Sequence, residues 1–551
     1  MTLRLRDGAL LALLCVALYL PGLTTLPPFD RDEPRFAESA RQMLASRDFV
    51  DIRFQNEARL NKPVGIYWLQ AASAAIFSHG PDDRRIWPYR LPSTLAATAA
   101  VLLTAATGAA LFGRSAGLGA GLLMATCLLL GIEARLAKTD ATLLAFTCLA
   151  QFCLARAYRA RASPDPPGRA NAALFWAALG AGVMIKGPII LMVSGLTAAG
   201  LALLERSGRW LGRLRPWPYF LLTLAIVLPW GIAIMIATKG AFLEQSVGRD
   251  LLGKVAGAQE SHGLFPGFFL VSFWATFWPG SLLAGLAVPW VWRHWREAEV
   301  RFCLAWLVPS WLVFEAVPTK LPHYTLPLFP AIAILAARAA LEPWPEFERP
   351  RWRVALRVLV VGWMALTAGI CLLLPLLPAA LEQRIDGVAW ALAAILLLLY
   401  GAALRFYRRG QRKPALAALI AATLLFSGTL YDWVLPRLSE IWISSRVAAA
   451  VARASPCPTP DLVSAGYSEP SLVFLVGPQI AFGDGRDAAS ALIADKCALA
   501  LVDAPFASGF AATLAAAHVA ARPVGEIDGL NLARGKRVHL TLYARVPGPA
   551  P

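Results

Sequence analysis

About thirteen stretches of this chain are long and apolar enough to cross a bilayer, a number that leaves room for little besides a bundle of membrane helices. They lie near 8–26, 92–112, 115–132, 140–157, 171–186, 187–205, 217–237, 265–292, 301–317, 324–341, 354–377, 387–404 and 414–431. A spanning helix needs about 20 mostly apolar residues, and 171–186 is the shortest candidate. Composition agrees. Of 551 residues, 57% are hydrophobic and only 16% charged, where an ordinary soluble chain carries about 25% charge. Mean hydropathy is +0.55. Disorder, a collagen-like rod and a small disulfide scaffold are excluded, and an all-α polytopic membrane protein remains.

Lys and Arg number 52 against 35 Asp and Glu, a net charge of +17. In a soluble chain that excess would raise the question of nucleic acid; here it has a cheaper use, holding cytoplasmic loops inside. A second use is attraction to anionic head groups of the surrounding lipids, so no nucleic-acid partner is expected. Arginines crowd the loops 156–169, 206–215, 293–301, 349–357 and 405–413. All five fall on one side if thirteen helices are counted from a cytoplasmic N-terminus, and the opposite short loops are poor in Arg. The C-terminus is then outside the cytoplasmic membrane. The N-terminal Arg4, Arg6 and Asp7 precede an apolar run with no small-residue cleavage site after Pro21, which reads as an uncleaved anchor.

Two regions are not spans. Residues 27–91 form a charge-rich outer loop in which Phe36, Ala40, Met43 and Leu44 recur at helical spacing, as in a helix lying on the membrane surface. Ile66–Phe77 is apolar but too short to span, so it lies flat or dips in. The transmembrane domain is therefore 1–431, and 432–551 is a separate α/β domain. In it, 461–464, 471–476 and 497–502 read as buried strands and 488–494 and 511–521 as helices. Cys15, Cys127, Cys148, Cys153, Cys303 and Cys371 fall in spans and read as small buried hydrophobes. Cys457 and Cys497 lie in the outer domain, where an oxidising compartment permits a bridge.

Transporters place ionisable groups near the bilayer midplane. Here the span interiors are nearly charge-free, and Glu133, Arg135, Lys138, Asp140, Lys186, Arg249, Glu315, Lys320 and His323 gather at the outer ends. That placement suits chemistry on lipid head groups. Just after the first span, Phe29-Asp-Arg-Asp-Glu-Pro-Arg-Phe-Ala-Glu38 brings Asp30, Asp32 and Glu33 to the surface. The plain alternative is a helix start, with Asp32 as N-cap and Glu33 and Pro34 in the first turn. Asp140, after Thr139 at the head of a span, has the same alternative. Lys62-Pro-Val-Gly-Ile-Tyr-Trp68 sets a cation beside two aromatics, which as an interfacial belt with a snorkelling lysine would need no chemistry. Pro318-Thr-Lys-Leu-Pro-His-Tyr-Thr-Leu-Pro327 interrupts a hairpin with three prolines and carries Lys320, His323 and Tyr324, a set suited to gripping phosphate. Glu260 and His262 could hold a divalent ion, though two such groups also suit a solvated loop.

Taken in order, the outer Asp-Glu pair, the Lys-Pro-x-x-x-Tyr-Trp, the Thr-Asp, a Lys-Gly-Pro at 186–188 and the Pro-x-Lys-Leu-Pro-His-Tyr hairpin form a pattern. It resembles the integral-membrane glycosyltransferases of the GT-C fold that use polyprenyl-phosphate sugars, and among them the lipid A aminoarabinose transferases. The resemblance runs the whole chain; Val64 departs from it, standing where many relatives have a second proline. It implies inverting transfer of 4-amino-4-deoxy-L-arabinose from undecaprenyl phosphate to a lipid A phosphate, at the periplasmic face of a bacterial inner membrane. Resistance to polymyxin and other cationic peptides would follow from the lowered surface charge. It implies Asp32, Asp140 and Glu33 as catalytic, and Lys62, Arg249, Tyr324 and Lys320 at the donor phosphate. Arg35, Arg59, His323 and Lys186 would make further contacts, including those to the acceptor. No cofactor is required, an ion at Glu260 and His262 would be structural, and the protein would be a monomer. Two other functions stay open: a protein O-mannosyltransferase with a polyprenyl-phosphate mannose donor, and a lipid flippase, against which the charge placement counts.

The arginine pattern makes a direct prediction. A C-terminal alkaline phosphatase fusion should be active, and a C-terminal reporter that folds only in the cytoplasm should be dark. The reverse pattern would move the acidic and cationic cluster to the cytoplasmic face.

Overall fold

The computed structural model describes residues 3–29, 31–80, 82–162, 168–246, 248, 264–342, 350–454, 457 and 461–546. Every one of the thirteen apolar stretches contains helix. The first ten helices are α1 (Leu5–Tyr19), α2 (Asp32–Ser46), α3 (Gly65–Phe77), α4 (Trp87–Phe112), α5 (Arg114–Ala125), α6 (Leu128–Glu133), α7 (Asp140–Arg159), α8 (Arg169–Lys186), α9 (Ile189–Leu204) and α10 (Pro216–Ala237). Among the described residues six helices are long and apolar enough to cross a membrane: Trp87–Phe112, Asp140–Arg159, Pro216–Ala237, Trp352–Leu381, Gly387–Arg408 and Arg412–Arg437. Other apolar stretches are shorter or broken. The 115–132 stretch divides into α5 and α6, and 265–292 divides at Pro279 into Phe268–Thr276 and Ser281–His294. Proline explains the second break, because it removes a backbone donor from the turn it enters.

Lipid tails are as apolar as leucine, so burial does little to drive helices together inside a bilayer; small residues that admit close backbone approach do more. The buried face of α4 carries Ala97, Ala100, Ala105, Gly108 and Ala109, and the facing side of α5 carries Ala116, Gly117, Ala120 and Gly121. Aromatic side chains fill the wider gaps, with Trp278, Trp290 and Trp306 buried. Arg135 is nearly buried and donates to the carbonyls of Pro21, Gly131 and Leu18 and to Ser427 Oγ. It also stacks on Tyr431 at 3.8 Å. It therefore laces α1, α6 and the helix from Arg412 together, a structural task rather than one in the outer cluster.

The outer loop folds onto protein, which corrects the picture of a helix resting on lipid alone. Phe36, Ala37, Ala40 and Met43 of α2 are buried, packed with Tyr67 and Ala74 of α3, Tyr89 of α4, and Phe474. Glu38 on the same helix pairs with Arg41 at 2.6 Å, and burial holds its carboxyl above the usual carboxylate range despite that arginine. Phe474 belongs to the α/β unit. That unit opens with helix Ile443–Ala454 and contains a five-stranded sheet in the order β4-β3-β5-β7-β6. The strands are β3 (Leu462–Ala465), β4 (Ala481–Gly483), β5 (Leu499–Asp503), β6 (Ala521–Asn531) and β7 (Lys536–Arg545). β3 runs parallel to β4 and β5, while β7 is antiparallel to β5 and β6. The two-stranded β1 (Arg53–Phe54) and β2 (Glu57–Ala58) form a small hairpin in the outer loop. Cys457 and Cys497 are bonded, with their Cα atoms 5.6 Å apart. The apolar run 471–476 is helix Pro470–Val476 rather than a strand. Its proline sits in the first helical turn, where a missing N–H costs nothing; a short buried run does not announce its period.

Candidate active site

Glu33 is the residue on which the site is assembled. Its side chain is fully buried, and Arg90, four residues into α4, donates to it twice, at 2.7 and 3.0 Å. The carboxylate also accepts the backbone N–H of Phe29 at 2.9 Å and of Ala137 at 3.0 Å. Arg90 spends its remaining donors on the carbonyls of Leu23, Leu26 and Pro27. Two charges out of water are tolerated only with this degree of satisfaction. One carboxylate thus fixes the end of the first span, the start of α2, α4 and the segment before α7. Its four hydrogen bonds occupy both carboxylate oxygens, the environment of a group that holds the chain together.

The neighbouring Asp32 has the opposite environment. Its side chain is half-exposed, with Arg35 at 3.6 Å and Arg59 at 3.7 Å. Helix α2 begins at Asp32 with Arg31 in the cap position, so Asp32 sits one residue too late to be the N-cap. Arg59 is firmly held: its Nε donates to Tyr67 Oη at 3.0 Å and its guanidinium lies 4.9 Å from the centre of the Phe36 ring. Tyr67 is fully buried, which removes it from any interfacial belt, while Trp68 is partly exposed.

The segment before α7 is pinned by α4, whose Thr94 and Ser93 hydroxyls donate to the carbonyls of Ala134 and Lys138. It delivers Asp140, buried at the first position of α7; the cap residue Thr139 makes no side-chain cap bond. Lys186, the last residue of α8, donates to Asp140 Oδ1 at 2.5 Å. Gly187 follows with φ of +69°, a left-handed turn that ends α8 just there and suits glycine alone. The Pro-rich hairpin closes the cluster from the other side. His323 Nε2 lies 3.8 Å from the same Asp140 oxygen, its Nδ1 lies 3.8 Å from Glu133 Oε1, and Lys138 Nζ is 4.0 Å from Glu133. The Lys186 ammonium lies 5.6 Å from the centre of the Tyr324 ring.

Lys62 enters through α3. A Cβ on Gly65 would meet the Met184 carbonyl oxygen at 2.7 Å, so the Lys62–Gly65 turn rests directly against the last turn of α8. Asn61 accepts a hydrogen bond from Gln245 at 2.9 Å, and Glu315 accepts the N–H groups of Gly267 and Phe269. Arg249, Glu260 and His262 lie outside the described residues, as does Asp30. Lys320 is nearly buried and donates to the carbonyls of Val317 (2.8 Å) and Leu264 (3.4 Å). It braces the hairpin by placing its ammonium on backbone oxygen.

Among the described residues Glu133, Asp140 and His323 bring ligand atoms within 4.8 Å of one another, close enough for one metal ion. Lys138 and Lys186 already balance the two carboxylates, so an entering cation would have to displace ammonium groups. Three members were not singled out from sequence. Glu133 and Lys138 were two charges among many at the outer face, and Arg90 is one of many arginines in the charge-rich loop 27–91, in the first turn of α4.

The fold is a bundle of apolar helices, six of them long enough to cross a membrane among the described residues, joined to an α/β unit. The solved structure of ArnT from Cupriavidus metallidurans bound to undecaprenyl phosphate matches it with a TM-score of 0.74 at 18% identity, over 97% of each chain. In sequence the chain is similar to the undecaprenyl phosphate-α-4-amino-4-deoxy-L-arabinose arabinosyl transferase of Enterobacter sp. (strain 638), 28% identical over 66% of this chain. It is likewise similar to that of Pseudomonas aeruginosa (strain LESB58), 26% identical over 66% of this chain. These alignments span 63% and 64% of the relatives' own lengths. Residues 61–232 match the family described as dolichyl-phosphate-mannose-protein mannosyltransferase. The resemblance drawn from the motifs is the one these comparisons return.

Glu33→Gln tests the structural assignment. It keeps the size but leaves the Arg90 guanidinium buried without its counter-charge, a loss of roughly 3–5 kcal/mol. Thermal unfolding of the detergent-purified protein should shift down by several degrees, with reduced yield. A variant of wild-type stability that had lost only turnover would return Glu33 to the chemistry.

Proposed function

We propose that this chain is an inverting glycosyltransferase that moves 4-amino-4-deoxy-L-arabinose from undecaprenyl phosphate to a lipid A phosphate. The observation that carries the proposal is the compact set of Glu133, Lys138, Asp140, Lys186, His323 and Tyr324 at one end of the bundle, in a fold shared with a transferase crystallised with undecaprenyl phosphate. In this reading thirteen helices cross the inner membrane, the N-terminus is cytoplasmic, and the site and the α/β unit face the periplasm. The chain acts as a monomer and requires no cofactor.

The leaving group is a phosphate, already a competent one, so a dedicated general acid is unnecessary. Cations that absorb its developing charge supply much of the rate. Lys62 and Arg249 take that role, with Tyr324 donating a hydrogen bond. The attacking lipid A phosphate is anionic at neutral pH and needs no strong base. Asp32, half-exposed and flanked by Arg35 and Arg59, orients the acceptor, balances the cationic amine of the donor sugar, or steadies an oxocarbenium-like transition state. Asp140 is held by Lys186 and His323 and orients rather than attacks. Transfer would lower the negative charge of the cell surface and give resistance to polymyxin.

The matched mannosyltransferase family favours one other reading, transfer of mannose from a polyprenyl phosphate to protein. Mass spectrometry of lipid A from a deletion strain with and without the gene decides between them. A species heavier by one aminoarabinose should appear only with the gene; unchanged lipid A together with newly glycosylated protein would overturn the proposal. In the same strain Lys62→Ala should reduce modification about tenfold or more, since a charge-assisted hydrogen bond is worth roughly 1.5–3 kcal/mol.

A further inference from the structure

The loop that presents Asp32 is also gripped by the outer α/β unit. Arg31, directly before Asp32, places Nε 3.4 Å from Glu469 Oε2. Glu469 stands at the carboxyl end of β3, between that strand and helix Pro470–Val476, and its side chain is almost fully buried. Its other oxygen accepts a hydrogen bond from Asn531 Nδ2 at 3.0 Å and has Arg534 Nε 3.8 Å away. So the carboxylate is fixed by β6, and Arg31 reaches it with its side chain roughly half-exposed. Three further contacts run beside this pair. The Phe29 ring meets Trp442 edge-on at 5.7 Å, Tyr89 meets Phe474 at 5.7 Å, and Gln55 donates to the carbonyls of Pro478 and Ile480.

Glu33 fixes the loop from the membrane side and Arg35 and Arg59 flank the Asp32 carboxylate, while the residue directly before Asp32 is held by the α/β unit. We propose that Glu469 is a positioning residue for the transfer reaction. Through Arg31 it sets the first turn of α2 and aims the Asp32 carboxylate, so the α/β unit completes the active site. The inference rests on the transferase reading given above and on Asp32 as a reacting-site carboxylate. With Arg31 half in solvent and Glu469 also held by Asn531, the Arg31 contact itself adds little to stability, whereas misplacing a catalytic group by about 1 Å costs up to 10²-fold in rate. The pair therefore serves geometry more than folding.

The test uses the full-length protein in lipid nanodiscs, with undecaprenyl phosphate-aminoarabinose as donor and lipid A as acceptor. Glu469→Gln keeps an oxygen for Asn531 and removes the charge that holds Arg31. It should lower kcat about tenfold or more while leaving Tm, the donor KM and undecaprenyl phosphate binding at wild-type values. Arg31→Gln should do the same, Arg31→Lys should retain most turnover, and the Arg31→Gln/Glu469→Gln double variant should be no worse than either single. Wild-type kcat in Glu469→Gln, or additive losses that track a falling Tm, would overturn the inference. Failure of the functional reading looks different: the wild-type protein would itself leave lipid A unmodified and glycosylate a peptide from a mannosyl donor. The same variants compared on that acceptor would then decide the role of Glu469.

Discussion

A single buried ion pair makes the rest of the arrangement possible. Glu33 and Arg90 sit where a helix bundle meets its outer loop, each nearly or fully removed from solvent. Between them they engage backbone groups of Leu23, Leu26, Pro27, Phe29 and Ala137. Without them, five backbone groups from separate stretches would lack partners at the edge of the apolar zone. With them, the segment carrying Asp32 and the segment carrying Asp140 are built onto one support. A buried pair of this kind is weak evidence of stability for its own sake, because well-packed apolar residues often do as well. Its value here lies in geometry, since it joins parts of the chain that share no helix.

The second constraint is charge balance in the cluster itself. Glu133 and Asp140 are nearly buried and face Lys138, Lys186 and His323. Such a site can receive a phosphate by adjusting which cation faces which anion, and it needs no net charge of its own before the lipid arrives. The lysines are placed by backbone devices: Lys186 by a left-handed glycine that stops α8, Lys62 by a glycine that lets α3 press against that same turn. Relative rigidity of these supports is what allows a few cations to act on a developing phosphate charge.

The fold was legible in sequence because membrane helices leave a coarse, one-dimensional record. The long apolar runs and the prolines that divide them mark the bundle, and the helical spacing of Phe36, Ala40 and Met43 marks α2. What that helix packs against was not legible, since an apolar face looks the same whether it meets lipid or Phe474. Within the site, Lys62, Asp140, Lys186, His323 and Tyr324 were found through motifs, and the structure sets Lys186 and His323 beside the Asp140 carboxylate with the Tyr324 ring next to both. Glu33 and Asp32, adjacent in the chain, could not be told apart: one helix turn puts the first into the bundle and leaves the second outside. Lys320 was read as a phosphate ligand from its proline-rich hairpin, and its hydrogen bonds to the carbonyls of Val317 and Leu264 were not legible there. The apolar run 471–476 was read as a strand, and β6 and β7, amphipathic and long, were not recognised at all.

The central claim is that the exposed Asp32, and not its buried neighbour, supplies the carboxylate the reaction needs. Asp32→Asn isolates that charge, because asparagine keeps the shape and a side-chain oxygen. The most direct measurement is single-turnover transfer by the purified variant in nanodiscs loaded with the aminoarabinose donor and lipid A. The account predicts transfer reduced by a hundredfold or more, on the order of what general acid–base or electrostatic groups contribute, with unfolding temperature and undecaprenyl phosphate binding unchanged. Transfer at the wild-type rate would contradict it, and would leave Asp32 as an acid that merely favours the start of α2.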